Sequence, residues 1–198
     1  MIRLAGLAAA TAFALMAAPA SAQVKGISDL SEAQKNEMYC VHDKLGDIDT
    51  DELVAQNNLY TDLKKEDQAK AEKLVDDAVA SCAAKYNWTQ DAKDIAADIG
   101  VYGASVDYLS EDLYFDGVED KQTDNVFKIL DTLSNDDIKA FGTGSWTSNE
   151  ALKTRINGQL RAAGVPNNAD TLETGQYLLE ASVLAAAASY DWISTVVK

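Results

Sequence analysis

Apolar residues return every three or four positions along most of the chain. The clearest stripe passes through Ile99, Tyr102, Val106, Leu109 and Leu113. This spacing places the five side chains on one face of an α-helix. Similar stripes, separated by polar caps and glycines, predict an all-α fold: a multi-helix bundle of about seven or eight helices.

Two stretches of the chain resemble each other. LVDDAVASCAAKYNW (residues 74–88) and LLEASVLAAAASYDW (residues 178–192) agree at six of fifteen positions. Their helical spacing predicts two helices with buried aromatic ends in related positions, the trace of a decayed duplication of a helical unit. An alanine-rich background is the alternative explanation of the likeness. The structural aromatic residues of the two stretches are Tyr86, Trp88, Tyr190 and Trp192.

The last helix keeps one apolar stripe over most of its length, and alanines cover much of its other side. A helix that is apolar on most sides is usually a central one, so we predict a long buried C-terminal helix. Glu180 and Asp191 interrupt the apolar run, which argues against a transmembrane segment in the mature chain. The stripe consists of Leu172, Leu179, Val183, Ala186, Tyr190, Ile193 and Val197.

Small residues line one side of the helix that contains Ile99. Ala96, Gly100 and Ala104 recur at spacing four, with Gly103 beside them. Glycine inside a helix costs up to about 1 kcal/mol relative to alanine, so something must compensate. We expect another helix to approach closely over this face. A hinge or a ligand groove is the alternative.

Two capping signatures mark helix starts. Ser31 with Gln34 opens a helix that Gly46 ends, and Thr147 with Glu150 opens a later one. Cys40 lies off the apolar stripe of the first of these helices, which must therefore contact two neighbours.

Acidic residues are expected to cap two more helices. Asp170 and Glu173 precede the last helix. Residues 47–52, DIDTDE, resemble the start of a calcium loop but lack the glycine at its sixth position and the acid at its twelfth. We therefore expect this segment only to cap a helix from Glu52 to about Tyr60.

Residues 1–22 have the pattern of a cleavable bacterial signal peptide. A basic start at Arg3 precedes an apolar run, and the small residues Ala20, Ser21 and Ala22 precede the expected cleavage site. We therefore expect a periplasmic or secreted protein. Residues 23–198 are long enough for a single helical domain, with possible halves at 27–116 and 131–198.

Export changes what the two cysteines mean. Cys40 and Cys82 are the only cysteines in the chain, and an oxidising compartment allows them to pair. We predict a structural disulfide between them. A reactive thiol, or a metal site formed by Cys40 and His42, is the alternative, but neither supplies the four ligands that structural zinc takes.

The chain is strongly acidic. Without Arg3, 16 basic residues face 32 acidic ones, for a net charge of −16. Only Arg155 and Arg161 remain as arginines, the residue type best suited to phosphate and guanine recognition. Nucleic acid is therefore excluded as a partner. The charge favours solubility or a carboxylate-rich surface for cations or a basic partner.

Residues 107–124 form an acidic belt in which the aromatic pair Tyr114 and Phe115 is embedded. We expect the belt to be a solvated recognition surface or a simple solubiliser, because successive carboxylates on a helix point about 100° apart and cannot converge on calcium. Its carboxylates are Asp107, Glu111, Asp112, Asp116, Glu119, Asp120 and Asp124.

The residues of most catalytic and metal sites are missing from this sequence. His42 is the only histidine, and no G-x-S-x-G or C-x-x-C-H motif is present. We predict no catalytic residue, no metal site and no cofactor. Glu111, between Leu109 and Leu113, is the weakly favoured candidate if the chain is a hydrolase.

Two functions remain open. The first is an exported non-enzymatic helical protein that binds a protein or envelope partner. The second is a carboxylate-based hydrolase or calcium-binding protein that uses the belt. The missing catalytic motifs favour the first. A pocket that gathers carboxylates with aromatic side chains would favour the second.

Overall fold

A computed structural model describes residues 26–46, 48–59 and 63–197, and the expected signal peptide lies outside these ranges. The predicted all-α fold is confirmed. Over the described ranges the chain forms nine α-helices and three short 3-10 helices. The α-helices are α1 (Glu32–Met38), α2 (Cys40–Leu45), α3 (Ile48–Leu59), α4 (Lys65–Tyr86), α5 (Gln90–Phe115), α6 (Asp120–Phe127), α7 (Asn135–Gly142), α8 (Glu150–Ala163) and α9 (Ala169–Thr195).

The two longest helices, α5 and α9, pack antiparallel along their lengths. Trp88, just before α5, contacts Trp192 near the end of α9. At the opposite end, Asp116 at the end of α5 accepts a hydrogen bond from Thr171 at the start of α9. The long buried C-terminal helix is therefore present as predicted, although Ala186 of its stripe is exposed.

The apolar core consists of two clusters joined by this helix pair. One cluster combines α1, α2, α3 and α4 with the first half of α5 and the last part of α9. The other combines α6, α7 and α8 with the remaining parts of α5 and α9. Both long helices thus contribute to both clusters.

The small-residue face of α5 receives α2, as expected. A Cβ atom on Gly100 would lie 2.5 Å from Cγ1 of Val41, and one on Gly103 would lie 2.5 Å from Cδ2 of His42. Distances below 3.0 Å require a shift of the neighbouring atoms. The close helix contact therefore compensates for glycine within α5, and His42 is held against the surface of that helix.

The first helices begin and end close to the predicted positions. Ser31 and Gln34 form the capping box of α1, and Gly46 caps α2. The single helix expected here divides at Tyr39, which adds one helix to the expected number. The expectation that residues 47–52 form a loop and cap a helix from Glu52 was wrong, because α3 already begins at Ile48.

Two predicted caps were wrong. Asn149, not Thr147, caps α8 by accepting a hydrogen bond from the Leu152 amide. Thr147 lies in the 3-10 helix Ser145–Ser148, where its hydroxyl donates to the Gly144 carbonyl. For α9, Asn168 occupies the capping position and accepts from the Thr171 amide, so Asp170 falls inside the first turn.

Candidate functional site

The predicted disulfide joins α2 to α4. The Sγ atoms of Cys40 and Cys82 lie 2.07 Å apart, the Cα atoms lie 6.0 Å apart, and both residues are buried. Cys40 lies on the side of α2 that faces α4, where it makes this bond, while its neighbour Val41 packs against α5. The bond therefore belongs to the core that contains α1 to α4.

Three of the four predicted structural aromatic residues form one stack. The rings of Trp88 and Trp192 meet edge to face with centroids 5.3 Å apart, and Tyr86 stacks on Trp88 at 5.8 Å. Trp88 Nε1 donates a hydrogen bond to Glu37. Both tryptophans are buried, as predicted, whereas Tyr190 is only partly buried. The proposed duplication behind the two stretches stays a hypothesis.

The belt carboxylates point in different directions. Asp107 contacts His42 of α2, while Asp112 accepts a hydrogen bond from Thr174 of α9. Asp116 likewise accepts from Thr171. The belt is therefore not uniformly solvated, because α9 and α2 engage three of its seven carboxylates.

The other belt residues lie at or near the surface. Glu119 caps α6, and Asp120 and Asp124 are exposed on that helix. Glu111 is partly buried on α5 and lines neither of the two cavities described below. Over the described ranges, no three acidic, histidine or cysteine side chains gather as metal ligands. In those same ranges no helix is both long and apolar enough to cross a bilayer.

His42 and Asp107 form a side-chain pair with the composition of a catalytic dyad. Their Nε2 and Oδ2 atoms lie 2.8 Å apart. The bond to Asp107 raises the pKa of His42, against the opposing effect of burial, and the charges of Asp107, Asp51 and Asp43 raise it further. His42 is therefore favoured as a cation, which is the state that a carboxylate partner stabilises.

A cavity of about 240 Å³ lies beside this pair, between α2, α5 and α9. The buried residue Ser189 lines this cavity. In the described ranges its hydroxyl makes no hydrogen bond to His42. A serine nucleophile needs a base within hydrogen-bond reach. The geometry therefore gives an ion pair that joins α2 to α5.

The aromatic pair of the belt is the most exposed apolar feature of the described chain. Tyr114 is 60% exposed and Phe115 is 75% exposed, and only Ile27, at 39%, joins them among large exposed apolar side chains there. The two rings meet edge to face at 6.0 Å. They end α5 immediately before Asp116, so two aromatic rings stand in solvent within the acidic belt.

A second cavity, of about 270 Å³, opens between α3, α5, α9 and the 3-10 helix 145–148. We call it the tyrosine cleft. Tyr102 of α5 and Tyr177 and Glu180 of α9 line it, together with Asn58 and Thr147. It is the only one of the two cavities that brings a partly buried carboxylate together with two aromatic rings that have phenolic hydroxyls.

Sequence reasoning missed the tyrosine cleft and the His42–Asp107 pair. Tyr102 and Tyr177 were each recognisable as residues of amphipathic helices, but nothing local indicates that α5 and α9 place them together. His42 and Asp107 are 65 positions apart. One signal was present: glycine at position 103 leaves room for a side chain from another helix, and that side chain is His42.

Comparison with known proteins gave no relative. No protein-family model matches the chain, and no curated protein or solved structure is significantly similar to it.

Proposed function

We propose that this chain is an exported helical binding protein that docks a basic segment of a partner protein at the end of α5. The docking surface, which we call the aromatic tip, consists of Tyr114 and Phe115 with the neighbouring carboxylates Glu111, Asp116 and Glu119. The observation that carries the proposal is the exposure of two adjacent aromatic rings, 60% and 75%, whereas the other aromatic residues that the structure describes are buried or partly buried.

Exposed aromatic pairs are suited to protein recognition. Each large ring can bury about 150–250 Å² of surface, and Tyr is enriched among the residues that dominate binding energy. Glu111 lies one helical turn before the pair and therefore shares its side of α5. Carboxylates around an apolar centre favour a partner with lysine or arginine at the rim of its binding segment.

The carboxylates of the belt are better arranged for this role than for calcium. Asp112 and Asp116 already accept hydrogen bonds from Thr174 and Thr171 of α9. Calcium requires six to eight oxygen ligands around one point. The belt carboxylates are instead spread over α5, α6 and the turn between them, where they form an extended negatively charged surface.

Export supports the same proposal. The signal-peptide pattern of residues 1–22 predicts passage into the periplasm or the medium, and a disulfide between Cys40 and Cys82 fits an oxidising compartment. The partner is therefore expected to be a protein or envelope component of that compartment.

Titration with an amphipathic peptide of alternating lysine and leucine tests the proposal. The peptide carries both the charge and the apolar surface that the aromatic tip would recognise. We expect calorimetry to show saturable binding that weakens as salt screens the charges. The double variant Tyr114→Ser, Phe115→Ser should lower the affinity about tenfold or more, the loss typical of aromatic anchors.

Two controls distinguish docking from general charge attraction. Ile27→Ser removes the other exposed large apolar side chain and should leave the affinity unchanged. A peptide of the same charge with serine in place of leucine should bind weakly. Equal binding of both peptides, or equal binding by the aromatic double variant, would refute docking at the aromatic tip.

A further inference from the structure

We propose that the tyrosine cleft binds a primary ammonium group, with the Glu180 carboxylate as its counter-ion and the Tyr102 and Tyr177 rings as its walls. The site lies between α3, α5 and α9 and is separate from the aromatic tip. It does not depend on the docking function proposed above.

The first argument is that Glu180 lacks a positive partner. It is partly buried, and no ion pair of the described chain includes it. Burial raises the pKa of this carboxyl, and only the Trp146 indole opposes the rise. A carboxylate removed from water is stabilised by a cation, so a ligand that supplies one would relieve this unfavourable state.

The second argument is the poorly paired indole beside the carboxylate. Trp146 is 3% exposed, and its Nε1 has no partner in good hydrogen-bond geometry. A weak hydrogen bond from this indole to Glu180 lowers the pKa of that carboxyl. Buried N–H groups are nearly always paired. A small rotation of Glu180 on ligand binding could pair the indole with one oxygen and leave the other for the ammonium.

The third argument is the sign of the local field. Burial raises the pKa of Tyr102 to about 12, and the nearby charges of Asp98 and Glu180 contribute. Burial also raises the pKa of Tyr177, with contributions from Glu173 and Glu180. The charges of Asp98, Glu173 and Glu180 are all negative, and both rings stay neutral at physiological pH. Neutral tyrosine rings attract cations at their faces.

The polar groups of the cleft match a primary ammonium. This group has three N–H donors and no acceptor. Glu180 offers carboxylate oxygens, and Asn58 and Thr147, which also line the cleft, each have a side-chain oxygen that can accept. The Thr147 hydroxyl already donates to the Gly144 carbonyl, so toward a ligand it would act as an acceptor. Leu59 and Leu184 provide apolar contacts for an alkyl chain.

The size of the cleft limits the ligand. A volume of about 270 Å³ is near the lower end of ligand pockets and suits a short alkyl chain or one lysine side chain. The ammonium could therefore come from a free small amine or from a lysine of a bound protein. Both sources share the chemistry that the cleft recognises.

Nuclear magnetic resonance titration of the folded protein with n-butylamine tests the proposal, with the Trp146 indole N–H signal as the readout. We expect a saturable shift of this signal, and no comparable shift with n-butanol, which has the same chain without the charge. Glu180→Gln should weaken n-butylamine binding about tenfold or more, since a hydrogen-bonded charge is lost. Glu66→Gln, which removes one exposed carboxylate of α4, is the matched control and should bind as the wild type does.

A second titration, with N-acetyl-lysine methylamide, identifies the source of the ammonium. Tighter binding of this compound than of n-butylamine would assign the site to a lysine side chain, and the reverse order would assign it to a free amine. Either order supports the ammonium site. Absence of a saturable shift with both amines, or unchanged binding by Glu180→Gln, would overturn it. The variant Tyr114→Ser, Phe115→Ser should bind n-butylamine normally, so failure of the docking proposal would be distinguishable.

Discussion

At the residue scale, the acidic character of the chain produces local charge repulsion. Asp98 on α5 has an exposed surface. The protein around it nevertheless removes enough water from its carboxyl to raise the pKa to about 6. Asp94 on the same helix and Asp191 of α9 add to the rise. Ionised Asp98 is therefore less favourable in the folded protein than in the unfolded chain.

The first prediction concerns this carboxyl. The folded pKa lies above the unfolded value of 3.8, so the free energy of unfolding should fall as pH rises from about 4 to about 6. Asp98→Asn should increase the free energy of unfolding at pH 7.5 by about 1 kcal/mol, a discounted value because solvent screens the group. Urea denaturation should show that the gain disappears near pH 4. A gain of equal size at both pH values, or one matched by the exposed control Asp76→Asn, would contradict this explanation.

The second prediction concerns His42, whose raised pKa has the opposite effect on stability. The protonated ring is bound by Asp107, so the contribution of the pair is fully present below the ordinary histidine pKa and is lost as pH rises through the raised value. Asp107→Asn should lower the pKa of His42 in a proton NMR titration. It should also lower the free energy of unfolding by up to about 1 kcal/mol at pH 5.5, a small loss because Asp107 is half exposed. The loss should be smaller at pH 9, because the neutral histidine ring is held less strongly by the carboxylate. An unchanged histidine titration would exclude this pair as the cause.

At the element scale, some helical glycines are required for packing and others are not. Gly100 and Gly103 of α5 allow α2 to approach, whereas Gly158 of α8 has no atom within 4 Å of the position that a Cβ would occupy. The small-residue spacing on α5 indicated the first role from sequence alone. Nothing in the sequence distinguishes Gly158 from a packing glycine.

The third prediction compares two alanine substitutions. Gly100→Ala should lower the free energy of unfolding by about 1–3 kcal/mol, since the new methyl group would lie 2.5 Å from Val41. Gly158→Ala should raise it by up to about 1 kcal/mol, because alanine favours helix and meets no obstacle. Thermal and urea denaturation measure both changes. Stabilisation by Gly100→Ala would show that α2 and α5 are not in close contact.

Helix starts show where local sequence becomes ambiguous. The capping-box spacing identified the start of α1 at Ser31, but the same signature at Thr147 failed because Asn149 also has a capping side chain. Burial of Trp146 in the preceding 3-10 helix, 3% exposed, favours the later cap. The choice between two polar residues two positions apart is thus made by tertiary packing, which local patterns do not contain.

At the scale of the whole molecule, periodicity predicted the helices but not which surfaces they would share. The stripe of α9 indicated a long buried helix, and the stripe of α5 indicated a helix with one apolar face; both helices are present. Their antiparallel pairing brings together Tyr102 and Glu180, 78 positions apart, and the periodicity of each helix does not indicate such a contact. The tyrosine cleft therefore required the structure. Tyr114 and Phe115 were visible in the sequence as an aromatic pair among acids. Their exposure follows from the side of α5 that they occupy, because the adjacent Leu113 is buried in the core.

The arrangement of the molecule separates stability from recognition. The disulfide, the tryptophan stack and the two apolar clusters hold α5 and α9 in place, while the aromatic tip extends from the end of α5 without contributing to either cluster. Substitutions of the Tyr114 and Phe115 rings should therefore leave the free energy of unfolding nearly unchanged. This separation makes the proposed docking function testable without loss of the fold.

Site-specific photo-crosslinking in the source organism tests the central claim most directly. The photoreactive residue p-benzoylphenylalanine would replace Phe115 in one variant and the exposed Asp76 of α4 in a matched control. We predict that the variant at position 115 forms an adduct with one protein, identified by mass spectrometry, whose crosslinked segment is rich in lysine or arginine, and that the variant at position 76 does not. Absence of an adduct at position 115, the same adducts from both positions, or a crosslinked segment without basic residues would contradict docking of a basic partner at the aromatic tip.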